Sequence, residues 1–366
     1  MVELSQAFSG KYAQARARFL DAAAGAGLAL TSYPHPLPGR DGEPLAMDVA
    51  LAGDAAAGRV LVISSACHGV EGFCGSGIQV ASLHDPEWLS HASAHGVALL
   101  YIHALNPYGF SHLRRVTQEN VDLNRNFNDY AQPLPVNQDY AELHALLLPE
   151  TWPPDADNIA ALQRFIAEHG MARFQAAVTQ GQHAFADGLF FGGTAPTWSN
   201  LTLREVLRSH AGRARHLGWI DLHTGLGPSG VGERIFACKD DAAALQRARQ
   251  WWGGEGATPI TSIYDGSSTS SPLTGLMWSA VYQECPQAQY TAIALEYGTL
   301  PVQDMVLALR AEQWLHQHPQ AAPAQAERIR QQMLDAFYVD TDAWRDQVTR
   351  QARQAMFQAV DGLALG

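Results

Sequence analysis

The stretch Arg59-Val60-Leu61-Val62-Ile63-Ser64-Ser65-Ala66-Cys67-His68-Gly69-Val70-Glu71-Gly72 opens with an unbroken β-branched and apolar run and closes on an imidazole and a carboxylate three residues apart. The apolar half suits a strand buried on both faces of a sheet. The polar half is a tight, glycine-flanked turn in which both side chains can reach one ion. A catalytic zinc commonly takes two histidines and one glutamate and keeps a position for water, so a third ligand is expected from elsewhere in the chain. Taken alone, His68-x-x-Glu71 is also what two unrelated surface residues would give, so the rest of the chain has to decide.

Working outward, the same theme of a buried run emptying into a polar loop recurs. Val97 to His103 is a second strand and leads into Asn106-Pro107-Tyr108-Gly109. Leu217 to His223 and Tyr290 to Glu296 are strands that each end on an ionisable residue. In α/β sheets ligands gather beyond the carboxyl ends of strands, which makes His223 the best third ligand, followed by a mobile-looking loop Thr224-Gly225-Leu226-Gly227. Residues 6–24 carry apolar positions at helical spacing, and 28–51 read as a hairpin turning at Pro38-Gly39-Arg40-Asp41-Gly42. The region at about 137–216 is mostly helical, with a Gly-, Pro- and aromatic-rich loop at 189–198, and reads as an insertion capping the site. Two long helices at about 301–362 finish the chain, the last capped near Thr341 and packing through Trp344, Val348, Ala352, Ala355 and Ala359. No repeat or low-complexity linker divides the sequence. The expected architecture is one α/β domain over residues 1–366, a mixed and mostly buried sheet flanked by helices.

Composition excludes several function classes. A chain of 366 residues, 47% hydrophobic, can bury a large core. A formal charge of −12 and only two lysines, Lys11 and Lys239, argue against a nucleic-acid or anionic-membrane surface. No apolar run approaches the roughly 18 residues of a membrane span, and the first residues lack a signal-peptide pattern, so the expectation is a cytoplasmic protein. The four cysteines make no disulfide framework and no C-x-x-C pair. Cys67 beside His68 has no second base to activate it, and buried packing is the better reading. Phosphate-binding and serine-nucleophile motifs are missing from the sequence.

Between the proposed ligands lies Arg114-Arg115-Val116-Thr117-Gln118-Glu119-Asn120-Val121-Asp122-Leu123-Asn124-Arg125-Asn126-Phe127. Its arginines and asparagines suit a planar, bidentate grip on a carboxylate, or equally an internally paired loop. Asp122 and Asp221 read as partners that orient metal ligands, and His103 as another candidate for that layer.

The order His68-x-x-Glu71, Asn106-Pro-Tyr-Gly109, Asp122-Leu-Asn124-Arg125-Asn-Phe127, His223 and Glu296 resembles the zinc carboxypeptidases, in a bacterial branch, and touches the succinylglutamate desuccinylase and aspartoacylase group. The resemblance covers residues 59–299. It implies a carboxypeptidase-like, phosphorylase/hydrolase-like fold, a zinc cofactor on His68, Glu71 and His223, and Glu296 as general base. It further implies Asn124 and Arg125 as the grip on a substrate's free carboxylate, one of Arg114 and Arg115 (Arg115 favoured) facing the oxyanion, and Tyr264 as a counterpart of the family's mobile tyrosine, against Tyr282 and against simple packing. The substrate is then a small peptide or an N-acyl amino acid, with a non-catalytic carboxylate-binding protein as the remaining alternative. The residue flooring the side-chain pocket is expected between Tyr264 and Pro286.

Overall fold

Four apolar runs, beginning at Arg59, Ala98, His216 and Gln289, lie side by side at the centre of one eight-stranded sheet. The computed structural model describes residues 3–54, 56–254 and 256–365. The strands are β1 (Ala29–Pro38), β2 (Pro44–Ala52), β3 (Arg59–Ser65), β4 (Ala98–His103), β5 (His216–Ser229), β6 (Gly232–Phe236), β7 (Ile260–Ser262) and β8 (Gln289–Gly298). Their spatial order is β1-β2-β4-β3-β5-β8-β6-β7. The inner pairs β4–β3, β3–β5 and β5–β8 are parallel, while β1–β2, β2–β4 and β6–β8 are antiparallel, so the sheet is mixed as expected. β4 is buried along its whole length, as continuous apolar runs of a two-sided sheet require.

The helices, in chain order, are α1 (Leu4–Ala7), α2 (Tyr12–Gly25), α3 (Gly72–Leu83), α4 (Pro86–Ala94), α5 (Pro107–His112), α6 (Gln138–Leu147), α7 (Ala156–His169), α8 (Met171–Thr179), α9 (Trp198–Ala211), α10 (Ala242–Trp252), α11 (Ser279–Glu284), α12 (Val302–Gln317), α13 (Pro323–Phe337) and α14 (Asp342–Leu365). The expected helical insertion is α6 to α9. α14 lies against β3, β5, α3 and α10, and the stripe Trp344, Val348, Ala352, Ala355 and Ala359 is buried there. Its start is marked by Trp344 N–H donating to Thr341 Oγ1 at 3.4 Å.

Three expectations change. The helical run over 6–24 breaks, with Phe8 and Lys11 extended, into α1 and α2. The C-terminal segment forms three helices, because Pro319 and Pro323 punctuate it and Pro323 opens α13 at a first-turn position where its missing N–H costs nothing. The chain after His223 is not a loop: β5 continues in register with β8 through Thr224–Tyr297 and Gly225–Gly298 before a shift to Ser229–Gly298. Gly225 at φ +147° and Gly227 at φ +102° supply backbone conformations that a side chain disfavours and that the bulge needs.

The sheet brings the predicted chemistry to one edge. β3 ends just before His68, and β5 lies beside it with Ser64 opposite Asp221. One strand further, His223 stands in direct register with Glu296.

Candidate metal centre

His68 and His223 turn their Nδ1 atoms onto the two oxygens of Glu71, at 2.9 Å from Oε1 and 3.0 Å from Oε2. Donor atoms from the three residues all lie within 4.8 Å of one another, and all three side chains are buried. Two imidazoles and a carboxylate are the donor set of an open zinc site, and this group fits one such ion. Both histidines are held from behind. His68 Nε2 lies 3.3 Å from Asp122 Oδ1, and His223 Nε2 contacts Asp221. Asp221 in turn accepts from Ser64 Oγ, which accepts from Trp219 Nε1 at 2.6 Å, so a buried relay across β3 and β5 fixes the ring of His223. Two other groups within ligating distance are Cys67 with Asp221 and His223, and the surface set His91, His95 and Asp361.

The local sequence explains this convergence. His68 precedes a short 3₁₀ turn at Gly69–Glu71 whose backbone is pinned by Gly69 N–H to Arg115 O at 3.0 Å and Val70 N–H to Arg114 O at 2.9 Å. Asn106 caps α5 by accepting from Gly109 N–H at 2.9 Å, and Pro107 fills the first turn. Gly109 belongs to that motif because a Cβ there would lie 2.5 Å from Asn106 Nδ2 and 2.7 Å from Val116 O. Asp122 caps a second 3₁₀ turn through Asn124 N–H at 3.0 Å while reaching His68 with its carboxylate.

Charge within the site is strongly organised. Burial opposes ionisation of Glu71, yet His68 and His223 hold its carboxyl below the usual carboxylate range. Burial likewise pulls against protonation of His223, but Asp221 and Glu71 outweigh it and hold the imidazole well above the usual histidine range. Glu296 goes the other way. Burial and the nearby charge of Glu71 push its carboxyl up to about 7, and its Oε1 accepts from Leu226 N–H at 2.9 Å. Two carboxylates in one cleft thus titrate apart, the pattern that separates a ligand from a proton-transferring group.

Arg115 faces this cluster. Its Nε donates to Asp122 Oδ2 at 2.9 Å and its Nη1 to Glu71 Oε1 at 3.1 Å, with Nη2 2.8 Å from His68 Nε2. Arg125 lies further along the cavity, buried, with Nε and Nη2 donating to Thr179 O at 2.9 and 2.6 Å and Nη1 to Asn124 O at 2.9 Å. Those bonds use three of the five guanidinium N–H groups and leave two for a ligand. Asn124 accepts from Met277 N–H at 3.0 Å through its carboxamide oxygen, so its NH2 is the group left to donate. Phe190 lies under both arginines, 5.0 Å from the Arg115 guanidinium and 5.7 Å from that of Arg125. Arg115, Asn124, Arg125 and Phe190 line one cavity of about 350 Å³ together with His68, Glu71, His223 and Glu296.

Residues 8–351 match the family described as protein of unknown function, DUF2817. The chain belongs to the DUF2817 family. No curated protein matches the sequence. Among solved structures, bovine thrombin-activatable fibrinolysis inhibitor in complex with tick carboxypeptidase inhibitor is similar at 9% identity, over 98% of each chain, with a TM-score of 0.50. A structure of thrombin activatable fibrinolysis inhibitor aligns at 10% identity over 89% of this chain and 77% of its own, TM-score 0.49. A metallo-carboxypeptidase from Burkholderia cenocepacia aligns at 10% identity over 92% and 68%, TM-score 0.40. Identities this low speak to the fold, which is carboxypeptidase-like, and the desuccinylase and aspartoacylase side of the resemblance rests on motif order alone.

The DUF2817 chain does not bring every expected residue to the cavity. Arg114 points away from it into a buried cluster, with Nε 2.5 Å from Glu312 Oε1 and Nη2 bonded to Asn120 and Gln313, so of the adjacent arginines only Arg115 faces Glu71. Tyr264 is 42% exposed and spends its hydroxyl on Cys238 O at 2.5 Å, and Tyr282 accepts from Lys239 N–H at 3.2 Å. Neither tyrosine lines the cavity, whereas Ser270, Leu273, Leu276 and Trp278 from the expected pocket segment do. His103 is stacked on Phe19 at 4.6 Å and bonded to Ser76, and burial pushes it down to about 4; it is a core histidine. Cys67 and Cys74 are buried, and burial pushes both thiols well above the usual range. The sequence reading missed Thr224 N–H, which donates to Glu71 Oε2 at 3.1 Å, and Leu226 N–H on Glu296, because backbone donors leave no mark in residue type. Phe190 lay within the aromatic loop already singled out, without its role as a platform.

Proposed function

We propose that this protein is a zinc-dependent hydrolase that cleaves an amide bond next to a free carboxylate in small substrates, using the cavity at the carboxyl edge of the sheet. The observation that carries the reading is the convergence of His68 Nδ1, Glu71 and His223 Nδ1 on one point, with Glu296 in register beside His223. His68, Glu71 and His223 would hold the metal. Zinc, when bound in such a site, lowers the pKa of its water towards about 7 and polarises a carbonyl.

The protein's own groups then divide the work. Arg125 and Asn124 take the substrate's carboxylate with their free N–H groups, which fixes the amide relative to the centre. Glu296, poised near neutrality, draws the proton from the attacking water and returns it to the leaving nitrogen. Arg115 presents fixed positive charge to the carbonyl oxygen as negative charge develops there. A cavity of about 350 Å³ is at the small end of the roughly 300–1,000 Å³ usual for small-molecule sites, which favours short substrates over protein tails.

The test is Glu296→Gln in the zinc-loaded protein, assayed on small C-terminal peptides and N-acyl amino acids. The variant is expected to keep its metal and to lose about 10²- to 10⁴-fold in kcat. A near-wild-type rate would remove Glu296 from the mechanism.

A further inference from the structure

Resting on that reading, we infer that the acyl half of the substrate is an apolar chain, as in an N-acylated amino acid carrying a medium-length alkanoyl group, and not a peptide. Two parts of the cavity lining are distinct. Arg125 is enclosed by the insertion: Thr179 O accepts two of its N–H groups, and a Cβ on Gly181 would lie 2.9 Å from Arg125 Cδ. α12 stands beside the general base: a Cβ on Gly225 would lie 3.2 Å from Glu296 Oε1 and 3.3 Å from Met305 Sδ. With the free carboxylate at Arg125 and the scissile carbon at the metal triad, the acyl group runs away from Arg125 towards α12.

That wall is apolar. Val302, Met305, Val306 and Leu309 of α12 recur at helical spacing and line the cavity, with Gln303 as the one polar side chain α12 adds. Val302 is 37% exposed, and Met171 of α8, also lining the cavity, is 39% exposed, so apolar groups reach water around it. The ionisable residues among the described lining are His68, Glu71, Arg115, Arg125, His223 and Glu296, all of them already assigned to the reaction centre or the carboxylate grip. A peptide on the acyl side would bring a backbone N–H and C=O per residue. Against Met305, Val306 and Leu309, whose backbone groups are spent within the helix, those would go largely unpaired, at a cost that an alkyl chain does not incur. A charged acyl group such as succinyl would meet no cationic side chain on this wall, only Gln303 and the first N–H groups of α12.

The step is ordinary hydrolysis. Water oxygen bonds to the acyl carbon, the C–N bond breaks, one water proton passes through Glu296 to nitrogen, the second leaves the new carboxylic acid for the amine, and a fatty carboxylate and a free amino acid with its ammonium group leave.

The experiment compares kcat/KM of the zinc-loaded full chain on N-acetyl-, N-hexanoyl-, N-octanoyl- and N-succinyl-leucine and on the tetrapeptide Ala-Ala-Ala-Leu. We expect roughly fourfold gain per added methylene until the cavity is filled, with the succinyl compound and the tetrapeptide far below the octanoyl one. Val306→Asp, and separately Val302→Glu at an exposed position, are expected to flatten the chain-length dependence while thermal melting stays near wild type. A tetrapeptide turned over as fast as the octanoyl substrate, or a flat chain-length series in the wild type, overturns the inference and leaves the hydrolase intact. Failure to cleave any of the five substrates with zinc bound overturns the hydrolase reading itself, and this inference with it.

Discussion

Glu296 and Glu71 are chemically the same side chain in the same cleft, and their surroundings pull them apart. Glu71 sits between two imidazoles and stays ionised, while Glu296 has one backbone donor, a like charge nearby and little water, and rises to about 7. If Glu296 is the base it acts as carboxylate, a form that grows as pH rises. Activity should therefore climb through an acid limb with a midpoint at or below about 7, since a cation on the triad favours the carboxylate further. A kcat/KM profile flat from pH 5 to 8 would contradict this. Asp221 gives a second test at this scale. It touches His223 from behind and makes no use of the cavity, so Asp221→Asn should weaken metal affinity roughly 10- to 100-fold while leaving the ligand set whole. Competition with a chromophoric chelator measures it.

At the scale of elements, the site depends on how closely the turn after β3 can approach α5. A Cβ on Gly69 would stand 2.1 Å from Gly109 C and 2.3 Å from Phe110 N, backbone atoms that cannot swing aside. Gly69→Ala must therefore push the turn outward. It should cost about 1–3 kcal/mol by overpacking and reduce metal content, because His68 and Glu71 flank the residue that moves. Urea denaturation and metal analysis read the two effects, and unchanged values of both would show that the approach is not required. The elements also mark where sequence reading works. β3 and β4 were legible because a strand buried on both faces needs an unbroken apolar run, and few other structures produce one. The choice between Arg114 and Arg115 was not legible from spacing: they are neighbours in one irregular loop, and only the fold turns one towards Glu71 and the other towards Glu312. The continuation of β5 past His223 was hidden for a related reason, since glycines that read as loop serve here as a bulge within a strand. The third C-terminal helix was visible in Pro319 and Pro323, which the continuous apolar spacing on either side obscured.

For the whole molecule, the sheet order explains why residues 155 positions apart come within reach of one point: β3 and β5 are adjacent and parallel, so His68 and His223 leave the sheet at the same edge. Helices α7 and α8 of the insertion, with α12 and the end of α13, then line that edge and turn an open rim into a cavity. No helix among the described residues is long and apolar enough to cross a membrane. The buried strands of the sheet could be read ahead of the structure because they follow from local patterns. The cavity's apolar walls could not, because they combine α7, α8 and α12 across more than a hundred residues of chain. The claim that holds these scales together is that His68, Glu71 and His223 form one metal site. Elemental analysis of the chain purified without chelators, beside His68→Ala and Glu71→Ala, tests it most directly. About one zinc per wild-type chain, lost in both variants, is the predicted result; a wild-type chain that holds no metal and takes none up from added zinc would contradict it.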